Sequence, residues 1–255
     1  MKAMAQPWTG EPAIVLGSAR SNHAAGADPH VSLIHEMAGR IAMDAPLQEI
    51  LEDVVEGVAS AVPCDSCFVY VLEEDQLVLR ASKNPKAEIP GRLQLMMGHG
   101  ITGWVAEHRQ PVTIAKGAFQ DRRFQTFNEL PEDRFEAFLS VPVLSRGQVV
   151  GVINLQNRAS RSYTDREIKL VAMFGFLIGA EIERARLENE NQALSSRLET
   201  RKALERAKGI LQHDLKINEE DAYLMLQRQS QQRRKPMKEI AEAIILSHVV
   251  KTASL

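Results

Sequence analysis

The stretch at 138–158, FLSVPVLSRGQVVGVINLQNR, carries the clearest secondary-structure signal in the chain. Two apolar runs of strand length flank a polar turn at 145–147, which is typical of an antiparallel hairpin. Both faces of each run carry apolar residues, so both faces of the strands should be covered. Strict alternation places Val150, Val152 and Asn154 on one face of the second strand. A central antiparallel sheet flanked by helices, an α+β fold, is therefore predicted.

Other segments fit around this hairpin. Shorter strands are predicted at 67–72, 77–81 and 112–115. Before them, helical periodicity begins at Val31, breaks near residues 44–46 and ends at Pro63. Residues 1–29 mix Pro, Gly, Ala, Ser and Asn without periodicity, and they are predicted to form a disordered arm.

A much longer helix is predicted after the sheet. Thr164 is placed to cap it, and no proline interrupts the chain before Pro236. Two heptad positions run along its first half: Leu177, Arg184, Asn191 and Leu198 occupy one, and Ala180, Leu187, Leu194 and Arg201 occupy the other. The first position is polar at two of its four residues, so a parallel dimeric coiled coil would be weak alone; an ordinary solvated linker helix is the alternative.

Residues 201–250 have the pattern of three short helices around a shared apolar core. The first continues the long helix, and Asn218 and Pro236 are placed to begin the second and the third. Residues 196–255 contain 12 Lys and Arg against 8 Asp and Glu, a net +4 within a chain of net −2. Such a unit permits contact with nucleic acid, although a solvated helix face has the same composition. Gly209 interrupts a good helix, which suggests a close contact with another backbone or a ligand.

Composition excludes several classes of protein. The 255 residues are 44% apolar and 25% charged, globular values that allow one large or two modest domains. The apolar runs are far too short to span a membrane, and the N-terminus lacks the pattern of a secretory or transit peptide. A cytoplasmic protein with no membrane partner is therefore expected.

Residues that carry enzyme or metal chemistry are few and scattered. Cys64 and Cys67 form a single C-x-x-C, which is compatible with apolar packing, a redox pair or half of a zinc site. The sequence has no second cysteine pair, so no metal is expected. None of the seven histidines has an acid and a nucleophile at the spacing of a catalytic triad. The protein is therefore predicted not to be an enzyme.

Three segments follow one another in order: GHGITGWVAEHRQPV at 98–112, the hairpin at 138–158, and YTDREIKLVAMFGFLIGAEIERARL at 163–187. Together they resemble the GAF domain, a widespread small-molecule sensor. The resemblance implies a six-stranded antiparallel sheet, a ligand pocket on the face away from the terminal helices, and dimerisation through those helices. It does not specify the ligand. The loop at 116–133 is rich in phenylalanine and is predicted to cover that pocket as a lid. Candidate pocket residues are Trp104, Phe119, Phe124, Phe127, Phe138, Ser140 and Asn154.

Nearer the C-terminus, the run AKGIL at 207–211 precedes Glu220, Ala222, Tyr223 and Leu226, and then Ile240-Ala241. This pattern resembles the ANTAR domain, the RNA-binding module of transcription antitermination regulators. The resemblance implies binding to paired RNA hairpins with small apical loops in a nascent transcript. Candidate RNA contacts are Arg201, Lys208, Gly209, Tyr223, Arg228, Arg233 and Lys235. The ring of Tyr223 either packs in the core or stacks on a base.

These predictions describe a homodimeric regulator with four parts. They are a disordered arm at 1–29, a GAF sensor domain at 30–180, a coiled-coil stalk helix at 181–200 and an ANTAR RNA-binding domain at 201–250. A small molecule in the sensor is expected to change the angle or spacing of two stalk helices and so to alter RNA binding. Two alternatives stay open: the three-helix unit binds DNA as a helix-turn-helix, or the chain is a purely structural dimerisation protein.

Overall fold

The computed structural model describes residues 29–83, 93–123 and 135–253. The predicted arm lies outside these ranges except for its last residue. The strands are β1 Ser66–Glu73, β2 Gln76–Lys83, β3 Gln94–Met96, β4 Val112–Ile114, β5 Ala137–Ser145 and β6 Gln148–Asn157. The helices are α1 Pro29–Ala42, α2 Leu47–Ala61, α3 Gly100–His108, α4 Asp165–Leu215, α5 Glu219–Arg233 and α6 Met237–Ala253, with a 3-10 turn at Ala118–Gln120.

The six strands form one sheet in the order β3-β2-β1-β6-β5-β4, and every neighbouring pair is antiparallel. This confirms the predicted central antiparallel sheet. The edge strand β3 was not predicted, because it is three residues long and only Leu95 is buried, so it has too little alternation to be detected.

A β-bulge changes the predicted alternation in β6. The pairing of β5 with β6 shifts between Val143 and Leu144, which leaves Val150 as an extra residue. Val150 therefore packs with the core on the α2 and α4 side of the sheet, whereas Val152 packs on the α3 side. The prediction that Val150 shares a face with Val152 and Asn154 was wrong for this reason.

Helices cover both faces of the sheet. On one face α1, α2 and the first third of α4 enclose a core that includes Ile50, Leu51 and Phe174. On the other face α3 places Ile101 and Val105 over the sheet. Burying a large apolar side chain contributes roughly 1.5–3 kcal/mol, so these two cores account for the stability of the sheet domain and fix α3 and α4 on opposite sides.

The 51-residue helix α4 connects this domain to the C-terminal helices without a break. Thr164 begins it with a complete capping box, in which Glu167 is the partner, as the sequence predicts. An added Cβ at Gly179 would lie 2.4 Å from the carbonyl oxygen of Leu144 in β5. The helix therefore begins in very close contact with the sheet.

The last part of α4 forms a three-helix unit with α5 and α6. Asn218 caps α5, since its Oδ1 accepts a hydrogen bond of 2.8 Å from the backbone N–H of Asp221. Pro236 precedes α6. These starts confirm the two predicted helix boundaries. The buried core of the unit consists of Ala207, Leu211, Ala222, Leu226, Ile240 and Ala241.

Candidate ligand face and nucleic-acid surface

Three buried polar side chains form a chain beneath α3. The hydroxyl of Ser140 on β5 donates to Asn154 Oδ1 on β6 at 2.6 Å. The amide of Asn154 in turn donates to the hydroxyl of Thr102 on α3 at 2.8 Å. The structure thus brings together two predicted pocket residues and adds Thr102, which sequence reasoning missed. Each of these polar groups has a hydrogen-bond partner in its neighbour. The three linked side chains therefore attach α3 to the centre of the sheet.

Trp104 lies on the same helix and is enclosed by polar neighbours. Its ring stacks on His108 with 4.0 Å between centroids, and the guanidinium of Arg123 lies 4.9 Å from the ring centroid. Asp121 holds Arg123 through two hydrogen bonds of 2.9 Å, and these lower the pKa of the Asp121 carboxyl. Arg123 therefore joins the start of the aromatic loop to α3 by a cation–π contact.

The four predicted phenylalanines have different positions. Phe138 is buried in the core on the α3 side of the sheet, whereas Phe119 in the 3-10 turn is partly exposed. Phe124 and Phe127, with most of the predicted lid, lie outside the described residues. The lid and the pocket remain predictions.

The two cysteines are free, and Cys67 is fully buried. Burial raises the pKa of the Cys64 thiol to about 11 and raises that of Cys67 well above its usual value. Because the thiolate is the reactive form, neither cysteine is activated for redox chemistry. In the described parts of the chain, no group of three or more His, Cys, Asp or Glu side chains is arranged to hold a metal ion.

In the three-helix unit, Lys208 is engaged within the chain. Its Nζ lies 2.6 Å from Glu219 Oε1 on α5 and 2.9 Å from Glu205 Oε1 on α4. The hydrogen bond to Glu219 is the main reason that the pKa of Lys208 is raised. Only 11% of the side chain is exposed. Sequence reasoning predicted an RNA contact here and did not foresee the pairing, since Glu219 belongs to the next helix.

A surface groove of about 310 Å³ lies beside this ion pair, between α4 and α5. Arg201, Lys208 and Tyr223, all predicted RNA contacts, line it together. Tyr223 is 45% exposed, so its ring faces the groove while Ala222 and Leu226 occupy the core. The groove offers a free aromatic face next to positive charge, which is a suitable arrangement for stacking a nucleic-acid base.

The other predicted contacts lie elsewhere on the surface. Arg228 and Arg233 are exposed on α5, and Arg233 donates to the side chain of Gln229 at 3.2 Å. Lys235 pairs with Glu239 at 2.9 Å. An added Cβ at Gly209 would meet nothing within 4 Å, so no backbone within the described residues accounts for this glycine.

The stalk portion of α4 exposes apolar side chains. Within 181–200 the large ones are Leu187, Leu194 and Leu198, and Met173 and Phe176 are exposed nearer the start of the helix. A groove of about 520 Å³ runs between this surface and the hairpin of β5 and β6. Leu177 was assigned to the predicted seam but is half-buried, whereas its neighbour Phe176 is 57% exposed. The exposed apolar surface thus includes Phe176 in place of the heptad residue Leu177.

The chain thus consists of a six-stranded sheet with helices on both faces, joined by one continuous helix to a three-helix unit. Residues 44–183 match the GAF domain family, and residues 192–245 match the ANTAR domain family. The chain belongs to the GAF domain family and carries an ANTAR domain behind the GAF domain. This architecture is regulatory.

Similar proteins share one domain or the other. The phosphoenolpyruvate-dependent phosphotransferase system protein of Escherichia coli is 26% identical over 159 residues, which are 60% of this chain and 21% of that protein. Transcriptional regulatory protein PdtaR of Mycobacterium tuberculosis is 49% identical over 59 residues, which are 23% of this chain and 29% of PdtaR. This chain therefore spans less than a third of either relative.

Solved structures show the fold of the first domain. The GAF domain of a phosphoenolpyruvate-protein phosphotransferase from Coxiella burnetii matches with a TM-score of 0.59 at 23% identity, covering 64% of this chain and 97% of that one. At this identity the likeness shows the fold alone. Among the residues that the structure describes, no helix has the length and apolar character needed to cross a membrane.

Proposed function

We propose that this protein is a signal-responsive transcription antitermination regulator, in which the GAF domain senses a small molecule and the ANTAR domain binds hairpin RNA in nascent transcripts. The ANTAR match at 192–245 and the similarity to PdtaR support the output half of the proposal. The GAF match at 44–183 supports the sensory half. Acting on a nascent transcript, such a regulator would work in the cytoplasm.

The continuous helix α4 is the observation that carries the proposal. Near its start Gly179 lies against the carbonyl of Leu144 in the sheet, and near its end Ala207 and Leu211 form part of the ANTAR core. Beyond these contacts, Lys238 on α6 pairs with Glu199 in the stalk at 3.2 Å. Because no loop separates the two domains, a shift of the helix at the sheet is carried directly to the RNA-binding surface.

The ligand is proposed to bind on the α3 face. There the hydrogen bonds that link Thr102, Asn154 and Ser140 join α3 to β5 and β6. The opposite face of the same two strands contacts α4. A small molecule that takes over the hydrogen bonds of Asn154 would move α3 relative to strands that also support α4. That arrangement gives a direct mechanical route from ligand to stalk.

A homodimer is proposed to form through the stalk. Leu187 and Leu194 are exposed one heptad apart, and Phe176 continues the same apolar surface towards the sheet. A second copy of α4 would bury this surface in a parallel coiled coil. Two ANTAR domains would then stand side by side, as recognition of paired hairpins requires.

Direct binding measurements test the RNA assignment. The probe is a pool of two-hairpin RNAs with randomised small apical loops, compared with duplex DNA of equal length at the same salt concentration. We expect tight RNA binding, with Arg201→Ala weakening it about tenfold because Arg201 is an exposed groove cation. Lys169→Ala, which removes an exposed charge from the sensor part of α4, is the matched control and should bind as the wild type does.

The same assay separates the alternatives. Preference for duplex DNA would favour the helix-turn-helix function, and binding to neither would favour a structural dimerisation protein. Native mass spectrometry of freshly purified protein should show the dimer together with a retained small molecule. RNA binding that does not respond to addition or removal of that molecule would contradict the sensory half alone.

A further inference from the structure

Gly209 occupies the middle of a helix at a position where the rest of the molecule gives no reason for a glycine. It is exposed, and an added Cβ would meet nothing within 4 Å. Gly179 differs because the carbonyl of Leu144 in β5 lies against it. Glycine weakens a helix relative to alanine. An open helical glycine does not by itself indicate a partner, since Gly39 in α1 is equally open. A partner at Gly209 is inferred from the side chains beside it, because glycine permits close approach of another molecule.

Basic side chains surround Gly209 on the outer surface of α4. We define the outer stripe as Lys202, Arg206, Gly209, His213 and Lys216, all of which are exposed. With about 3.6 residues per helical turn, the first four of these positions fall on one side of α4. Lys216 follows directly as the residue that caps the end of the helix, with a φ of 54°. Ala207 and Leu211 point the other way, into the ANTAR core. The outer stripe is thus the part of α4 that is farthest from the protein interior.

The long cationic side chains of the outer stripe are not neutralised within the protein. In the described ranges, Lys202, Arg206 and Lys216 have no carboxylate within ion-pair distance. Two carboxylates border the stripe: Glu205 Oε1 lies 2.9 Å from Nζ of Lys208, which it shares with Glu219, and Asp214 Oδ1 lies 3.0 Å from Nδ1 of His213. Neither is within ion-pair distance of the three long cations of the stripe in the described ranges. An unpaired row of cations produces a positive potential that attracts polyanions.

We propose that the outer stripe holds the sugar-phosphate backbone of the bound RNA, and that Gly209 lets this backbone approach more closely than any side chain would allow. From Lys202 to the last residue of α4, Leu215, the helix rises by about 20 Å, enough to follow several consecutive phosphates. Phosphate contacts position a nucleic acid without reading its sequence. The groove at Arg201 and Tyr223 is left to read the loop bases. The inference rests on the proposed function, because it takes RNA as the ligand.

Two glycine substitutions test the close approach. Gly209→Ala should weaken binding of the two-hairpin RNA pool by about tenfold, while raising the thermal unfolding midpoint by about 2–4 °C because alanine favours the helix. Gly39→Ala in α1 is the matched control, since Gly39 is also helical, exposed and open to 4 Å. It should stabilise the protein equally and leave RNA affinity unchanged. A glycine with a merely structural role would not lose affinity while gaining stability.

Charge substitutions test the phosphate contacts independently of Gly209. Lys202→Gln with Arg206→Gln should weaken RNA binding and reduce the slope of log affinity against log salt by about 1.5. Lys251→Gln, at the far end of α6, loses the same kind of charge and should keep the wild-type slope. The double variant removes no internal ion pair of the described chain, so its unfolding midpoint should equal that of the wild type.

The outcomes distinguish the two levels of the proposal. If the wild-type protein does not bind the RNA pool, the proposed function fails and the outer stripe with it. If the wild type binds but both sets of variants bind equally well, only the outer stripe is refuted. Equal effects of the variants on binding to duplex DNA or to vesicles of anionic lipid would show a general polyanion surface, which would also overturn the assignment to RNA.

Discussion

The two ends of α4 use glycine in opposite ways. At the sensor end, the position of a Cβ on Gly179 is only 2.4 Å from a sheet carbonyl, so glycine is required for the helix to lie where it does. At the output end, Gly209 faces open space. Gly179 allows a close contact inside the molecule, whereas no described atom lies against Gly209. The sensor end is therefore held by tight internal packing, whereas Gly209 at the output end leaves the surface open to the contact proposed above.

The largest expected effect comes from filling the sensor-end contact. Gly179→Ala forces the backbones of α4 and β5 apart and should lower the free energy of unfolding by about 3 kcal/mol, measured by urea denaturation. Gly175→Ala is the control, because its nearest neighbour, the carbonyl of Pro142, is 3.5 Å away. It should be neutral or stabilise by up to about 1 kcal/mol. Equal stability of the two variants would contradict the claim that the sheet requires glycine at position 179.

An intermediate effect is expected on the other face of the sheet. Asn154→Leu leaves the buried hydroxyls of Ser140 and Thr102 without their partner and should cost about 2 kcal/mol. Ser66→Ala serves as control, since Ser66 Oγ is buried without a hydrogen-bond partner; its effect should stay within about 0.5 kcal/mol. If Asn154→Leu leaves the free energy of unfolding unchanged, the tight internal packing is confined to the α4 side of the sheet.

The smallest effect concerns the ion pair at the output end. Hydrogen bonding to Lys208 lowers the pKa of Glu219, so the pair stabilises the fold above the unfolded pKa of about 4.3 and loses this effect as the pH falls through the lower folded pKa. Glu219→Gln should lower the thermal midpoint by about 1–2 °C at neutral pH and should match the wild type at strongly acidic pH. Glu220→Gln, which removes a neighbouring charge from the same turn, should show no such pH dependence.

The same variant sharpens the role of Lys208. If Lys208 contacts RNA phosphate directly, Glu219→Gln removes one of its two carboxylate partners, leaves Glu205 as the other, and raises RNA affinity. If Lys208 instead positions α5 and the ring of Tyr223 at the groove, the variant leaves affinity unchanged or lowers it. Only direct contact predicts a gain in affinity, so one binding curve decides between them.

Local signals predicted most of the fold, and contacts between distant segments explain what they did not predict. Thr164 was recognised as a helix cap because threonine is a preferred residue directly before a helical pattern, and the structure adds Glu167 as its capping-box partner. The edge strand β3 is too short for periodicity, and the bulge at Val150 shows only in the pairing of two strands. The pairing of Lys208 and the contact of Arg123 with Trp104 likewise depend on neighbours that the chain brings together only when folded.

Because α4 is continuous, the length of the stalk determines the angle between the GAF domain and the ANTAR domain around the helix axis. Each residue inserted between the two domains turns everything after it by about 100° and advances it by about 1.5 Å. One extra residue would therefore make the outer stripe and the groove face a different direction around the helix axis. Seven extra residues would nearly restore their original direction. The number of residues between Ile182, the last buried residue on the sensor side, and Ala207 in the ANTAR core therefore determines the direction in which the proposed RNA-binding surface faces relative to the GAF domain.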